Sequence, residues 1–302
     1  MKNILVPVDF SEVSKNAAEF AVRFAKVEDA KVKLLHVYHI PVPSSADVPT
    51  MLISSDELQA MNDSELLKIK ESIKVSTGFD VSTEARLGAA VDVILEESVD
   101  ADLIVMGIHG AGAIAETIIG SIATDTLRKS TIPVLVVPEH TRYKNPDKIV
   151  LACDYNPDTN LRSLDTLTDL MENFNSKIFV VNVKNKKDKS ISEETDTMVV
   201  LDSKLSIYKL DIKEHHESAT SEEKAIREKI EKKLANIEHY YFSPEKKDVV
   251  NAINEFVDEK NADMVAIIPH HYKLFEGLFH KSLSKKMAFH THVPLLALPD
   301  NK

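Results

Sequence analysis

Cysteine is nearly absent. Cys153 is the single one in 302 residues, which excludes an intramolecular disulfide and fits a reducing compartment. Positive charge is also short. Thirty-seven Lys and Arg stand against 48 Asp and Glu, a net charge of -11, and this argues against nucleic acid as a general partner, because phosphate backbones call for a basic face. No apolar run approaches the roughly 18–20 residues of a membrane span. The start, Met1-Lys2-Asn3-Ile4-Leu5-Val6-Pro7, runs straight into strand pattern without a signal peptide. A cytoplasmic protein with neither membrane nor nucleic-acid contacts is therefore expected. Glycine is scarce too, and unevenly spent: four of the seven (Gly107, Gly110, Gly112, Gly120) fall in one stretch.

That stretch organises the reading. The apolar run Ala101–Met106 has the pattern of a buried parallel strand. After Ser121, Ile122/Thr126 and Ala123/Leu127 fall on shared faces of a helix. The order is strand, Gly-x2-Gly-x9-Gly-Ser, helix start. Glycines let a backbone turn tightly and bring N–H groups near a ligand with no Cβ in the way, and the unpaired N–H groups of a helix start favour an anion, most often phosphate. The spacing is neither the dinucleotide fingerprint nor the P-loop, for no Gly-Lys-Ser/Thr triplet occurs. Packing glycines at an ordinary strand-to-helix turn are the bland alternative.

The rest of the first half alternates in kind. Asn3–Val8 reads as a buried strand, with Asp9-Phe10-Ser11 as the loop at its carboxyl end and Ser11 as a helix N-cap. Val13, Ala17, Phe20, Ala21 and Phe24 form the apolar stripe of the helix that follows. Strand at Lys31–Tyr38, an irregular loop over 40–56, a charged helix from Asp56 to about Ser76, strand at Asp80–Leu87, a helix with Val91, Ile94, Leu95 and Ser98 on one face, and a last strand at Pro133–Val137 complete the pattern. This βαβαβαβαβ order predicts a doubly wound open parallel sheet, whose ligands sit outside the carboxyl ends of the strands. Asp9 and Gly107 both lie at such ends.

The second half repeats the first. Lys148–Asp154 overlays Asn3–Asp9 at an offset of 145, and Ala262–Ile267 overlays Ala101–Met106 at an offset of 161. The net insertion of sixteen residues is assigned to the polar stretch Lys184–Glu223, within which Met198–Lys209 has strand character. The chain reads as two tandem α/β domains, residues 1–140 and 148–302, joined by a linker at 141–147. Ile268, His271 and Lys281 replace the three spaced glycines, and Ser282 and Asp154 alone persist, so the backbone cradle is expected to be closed in the second copy.

Ile4-Leu5-Val6-Pro7-Val8-Asp9-Phe10-Ser11, Gly107-x2-Gly110-x9-Gly120-Ser121 and Pro133-Val134-Leu135-Val136-Val137 together resemble the universal stress protein family over residues 1–140. The resemblance implies two Rossmann-like, adenine-nucleotide α-hydrolase-like domains and an ATP-binding stress-response protein. It also implies a site in the first domain. Gly107, Gly110, Gly120 and Ser121 would hold phosphates, with the backbone at Ile122 and Ala123 continuing the helix start. Pro7, Val8, Asp9 and Val37 would frame the adenosine, with Met106 beside it and His109 near the phosphates. Mg²⁺ would accompany the nucleotide. Domains of the family pair through the edge strand containing Pro-Val-Leu-Val-Val, which here could be satisfied within one chain while leaving room for a homodimer.

No catalytic residue stands out: there is no Ser/His/Asp elbow and no nucleophilic cysteine context, so any ATP hydrolysis is expected to be slow, and the reader of the nucleotide is an unidentified protein partner. Two alternatives compete. One is a slow ATPase. The other is a nucleotide-free scaffold whose second half, through His270, His271, His280, His290 and His292 or the nearby Lys273, Lys281, Lys285 and Lys286, binds a metal or a metabolite. Adjacent histidines point apart on a strand, no cysteine joins them, and no metal ligand set is assigned.

Overall fold

A computed structural model of the chain describes residues 1–40, 54–108, 121–155, 162–185, 221–246, 248–268 and 291–299. The first half runs β1 (Asn3–Pro7), α1 (Glu12–Glu28), β2 (Lys31–Tyr38), α2 (Ser55–Thr77), β3 (Ser82–Leu87), α3 (Ala90–Glu97), β4 (Leu103–Ile108), α4 (Ser121–Lys129) and β5 (Val134–Pro138). The second runs β6 (Lys148–Ala152), α5 (Arg162–Met171), β7 (Lys177–Val181), β8 (Lys184–Asn185), α6 (Ser221–Lys233), β9 (His239–Phe242), β10 (Glu245–Lys246), α7 (Val249–Lys260), β11 (Met264–Ile267) and β12 (Leu295–Ala297).

Local chemistry sets the helix limits. Ser11, in extended conformation, caps α1 by accepting from the Ser14 N–H, and Asp29 closes it in the left-handed region at φ 50°. At α2 the Ser54 hydroxyl and the Glu57 carboxylate reciprocally satisfy each other's backbone N–H, a capping box, and Gly78 ends the helix at φ 71°. Caps of this kind are each worth about 1 kcal/mol. Val13, Ala17, Phe20, Ala21 and Phe24 are all buried, as their spacing requires.

Among the described residues ten strands form one sheet in the order β3-β2-β1-β4-β5-β12-β11-β6-β7-β9, and β8 and β10 make a separate two-stranded ladder. Each half is parallel throughout and has the same topology, with its first and fourth strands adjacent at the centre. Strands β5 and β12 pair antiparallel, Leu295 opposite Val136 and Ala297 opposite Val134, so the edge of each half closes on the other and neither leaves that ladder open. Strand alternation divides the core into two layers. Ile4, Val6, Val32 and Leu34 pack with α1 and α2; Leu5, Leu35, Ile104 and Met106 pack with α3 and α4. The halves also share a core, the Phe24 and Phe174 rings packing in a tilted pair at a ring-centroid distance of 4.9 Å.

The internal repeat extends to single hydrogen bonds. The Asp102 carboxylate accepts from the Lys2 and Asn3 N–H groups at 2.6 and 2.9 Å. Asp263, its counterpart, accepts from the Lys148 N–H at 3.1 Å and from Lys144 Nζ at 2.9 Å. In both halves a carboxylate before the fourth strand holds the start of the first strand.

Three local expectations change. The fourth strand starts at Leu103 and continues through Gly107 and Ile108, which pair with Val137 and Pro138; the Gly107 backbone thus completes a ladder before the loop begins. Of the face expected on the third helix, Ile94 and Ser98 are buried while Val91 and Leu95 are half-buried, and Val93 is buried as well, because short α3 packs on both β2 and α4. On α4, Thr126, Ala123 and Leu127 are buried but Ile122 is 43% exposed. Among the described residues no helix is long and apolar enough to cross a membrane.

Candidate functional site

The chain winds from β1 outward to β3, crosses back through α3, and resumes at β4 beside β1. Strand order reverses between these two strands, and the divergence of their connections opens a crevice at their carboxyl ends. Two pieces meet there, the Val8–Ser11 turn after β1 and the Gly107–Ile108 end of β4, with Gly107 against Val13 at the start of α1; one connection later Ser121 opens α4.

The turn is built from its own side chains. Asp9 Oδ1 accepts from the Ser11 hydroxyl at 2.5 Å and the Ser11 N–H at 3.1 Å. Ser14 Oγ donates to the Ser11 carbonyl at 3.0 Å and accepts from the Asp9 N–H at 3.3 Å. Partial burial pushes the Asp9 carboxyl up, but the hydroxyls of Ser11 and Ser14 and the backbone N–H groups outweigh it and hold the group below its ordinary value. Asp9 is therefore an anion, exposed at the crevice mouth. Between them, Phe10 takes φ 66°, a left-handed conformation that costs a bulky side chain about 1–2 kcal/mol.

Pro7 closes β1 half-buried, Val8 is buried with its N–H on the Leu35 carbonyl at 2.8 Å, and Val37 is half-buried near the end of β2. Met106 is buried one residue before Gly107. Gly107 has a packing reason of its own. A Cβ there would lie 2.6 Å from the Val13 carbonyl oxygen and 2.9 Å from its carbon, so the glycine lets the end of β4 press against the first turn of α1. Ser121 opens α4, Ile122 is exposed and Ala123 is buried. His109, Gly110 and Gly120 lie outside the described residues.

Two residues near this turn escaped the sequence reading. His36 Nδ1 lies 2.7 Å from the Val8 carbonyl oxygen, and the Phe10 ring packs on the imidazole at a centroid distance of 4.1 Å. A signal was available: Val32, Leu34, His36 and Tyr38 alternate on one face of β2, and a lone polar residue in such a row needs a partner.

In the second half the corresponding crevice is altered. Ile268 stands where Gly107 stands in the first half, and it is buried at 7% exposure. Cys153, beside it, is buried and its thiol is pushed up to about 12 by burial, which makes it unreactive. Of the histidines considered as ligands, His292 is described, and its Nε2 pairs with Asp258 at 2.9 Å; the other four lie outside the described residues. Among the described residues no group of three or more His, Cys, Asp or Glu could hold a metal ion.

Comparison with known proteins agrees with this architecture. The profile of the universal stress protein family matches the chain twice, at residues 1–138 and 146–299. A universal stress protein of Methanocaldococcus jannaschii is 35% identical over 140 residues, 45% of this chain and 81% of that protein. One from Synechocystis is 32% identical over 139 residues, 45% of this chain and 85% of its own. The crystal structure of a universal stress protein from Archaeoglobus fulgidus superimposes with a TM-score of 0.68, covering 99% of this chain and 98% of that one at 18% identity, a likeness of fold. With both halves matched, the chain belongs to the universal stress protein family and carries two copies of its domain in tandem.

Proposed function

We propose that the protein binds ATP in its first half and acts as a nucleotide-regulated stress-response factor read by a protein partner. The supporting observation is the approach of the glycine end of β4 to Val13, just after the Asp9 turn, where the strand order of the first half reverses. Gly107, Gly110, Gly120 and Ser121 would hold the phosphates through backbone N–H groups, the positive end of α4 adding to the attraction. Pro7, Val8, Asp9, Val37 and Met106 would frame the nucleoside, with Asp9 as an acceptor for its hydroxyls. His109 sits in the same loop sequence, and Ile122 and Ala123 continue the helix start.

Mg²⁺ would come with the nucleotide, held by its phosphates, because the stretch from Gly107 to Ala123 has one carboxylate, Glu116, and Asp9 is engaged by Ser11. Its contribution would be to neutralise phosphate charge. The second half keeps the fold and the strand pairing, and Ile268 fills the place of the first glycine. Function in the cytoplasm, and a homodimer formed through surfaces other than β5, belong to the same reading.

The test is the mass spectrum of small molecules released from freshly purified protein, with Gly110→Val alongside. ATP or ADP near one per chain from the wild type and none from the variant is expected. Nucleotide near two per chain would assign a site to the second half as well. None, with no rise in melting temperature on adding Mg-ATP, would refute the proposal.

A further inference from the structure

The hydrogen bond from His36 recurs in the second half with a different side chain. Asn182, 146 residues after His36, donates from Nδ2 to the Cys153 carbonyl at 2.9 Å, and Cys153 overlays Val8 at the offset of 145. The residue two positions on is left-handed in both halves, Phe10 at φ 66° and Tyr155 at φ 51°. A carbonyl can only accept, so the bonded atom is Nδ1–H in one case and an amide N–H in the other. What recurs is therefore a donor at the end of the second strand, aimed at the carbonyl just beyond the end of the first. The need arises where the β1–β2 ladder runs out: its register ends at Pro7 opposite Leu35. The Val8 N–H is taken by Leu35, while its carbonyl depends on His36.

We infer that His36 is a positioning residue for nucleoside recognition by Asp9. Its Nδ1–H fixes the carbonyl of the residue before Asp9, and its ring supports that of the strained residue after it. The Asp9 carboxylate is thereby held toward the crevice. This rests on the reading of the first half as a nucleotide site. Inorganic tripolyphosphate separates the two parts of such a site, because it has phosphates and no nucleoside.

The experiment is calorimetric titration of the full chain with Mg-ATP and with Mg-tripolyphosphate, for the wild type, His36→Leu and His36→Asn. His36→Leu is expected to weaken ATP about tenfold, the worth of one well-placed hydrogen bond, with tripolyphosphate binding unchanged. His36→Asn, which borrows the donor used in the second half, should recover most of the loss. Equal weakening toward both ligands, or no weakening toward either, overturns the inference. ATP binding absent from the wild type overturns the underlying reading instead, and the positioning role with it. The imidazole tautomer in the wild type, read from ¹⁵N–¹H correlations, gives an answer even where His36→Leu does not fold: Nδ1–H is expected, and a neutral ring protonated at Nε2 alone overturns the inference.

Discussion

Gly107→Ala is a one-methyl change whose cost can be worked from the structure. The new Cβ would lie 2.6 Å from the Val13 carbonyl oxygen, 2.8 Å from Val13 Cγ1 and 2.9 Å from the Val13 carbonyl carbon. Ordinary contact begins near 3.4 Å, so the gap must widen by about 0.8 Å. The side-chain methyl could rotate away, but two of the three atoms are backbone of the first turn of α1, anchored by the Ser11 cap. Relief must come from moving the helix or the end of β4, and overpacking of this kind costs about 2–3 kcal/mol. With a urea m value of about 2–3 kcal/mol/M, the midpoint should fall by about 1 M. Gly78→Ala is the natural control. Gly78 has φ 71° and no atom of the described residues within 4 Å of its virtual Cβ, so the change adds backbone strain alone, about 1 kcal/mol. Urea unfolding of both variants by circular dichroism checks the argument. If Gly107→Ala proves no more damaging than Gly78→Ala, the close approach of β4 to α1 is not what requires glycine at position 107.

Thr126 is fully buried in α4 and its hydroxyl has no hydrogen-bond partner among the described residues; Thr126→Val should stabilise the protein by about 1 kcal/mol, seen as a higher urea midpoint. Asp9 is held below its ordinary value of 3.8, so its contribution to stability is complete above that pH and is lost as pH falls through the lower folded-state value. The stability difference between wild type and Asp9→Asn should therefore shrink steadily from about pH 5 to about pH 2 in pH-dependent melts; a constant difference contradicts the assignment. Glu97, with a side chain 13% exposed, meets Lys33 Nζ at 2.6 Å and also pairs with Arg86. Glu97→Ala should lower the urea midpoint, and the loss should diminish in 1 M salt because the network is partly open to solvent.

Much of this architecture was legible because local and tertiary demands coincide. The span of β2, the Ser11 cap and the apolar stripe of α1 each follow from a few adjacent residues. The start of β4 was not legible, since the apolar run from Ala101 onward has no internal mark for where pairing begins. The answer depends on Asp102, whose carboxylate is engaged by the N–H groups of Lys2 and Asn3, about a hundred residues earlier. Gly107 shows the same limit from another side. Its spacing from Gly110 and Gly120 suggested a phosphate loop, whereas the collision with Val13 is a fact of packing no spacing reveals. Likewise His36 in the row Val32, Leu34, His36, Tyr38 signals an unmet need for a partner, but only the structure names the Val8 carbonyl.

The two halves separate what the fold requires from what a ligand would require. Both keep the carboxylate that holds the first strand, the donor from the second strand to the first, and the left-handed residue that follows the aspartate. These features survive where the spaced glycines have been lost, so they are built into the strand ends, and in the first half the proposed nucleoside contact of Asp9 rests on that frame. The exchange of Gly107 for Ile268 has a different character. In the first half, the absence of a side chain lets β4 approach α1; in the second, a branched side chain occupies the equivalent place and is buried at 7% exposure, adding apolar burial worth about 1.5–3 kcal/mol. A sequence free of the demand for an open backbone at that point gains stability by filling it. In the first half Val13 already occupies that place, so no such gain is open to it. The glycine at 107 is explained by packing against Val13, so its retention alone does not argue for a nucleotide, and Gly110→Val rather than a change at 107 is the substitution that tests that reading.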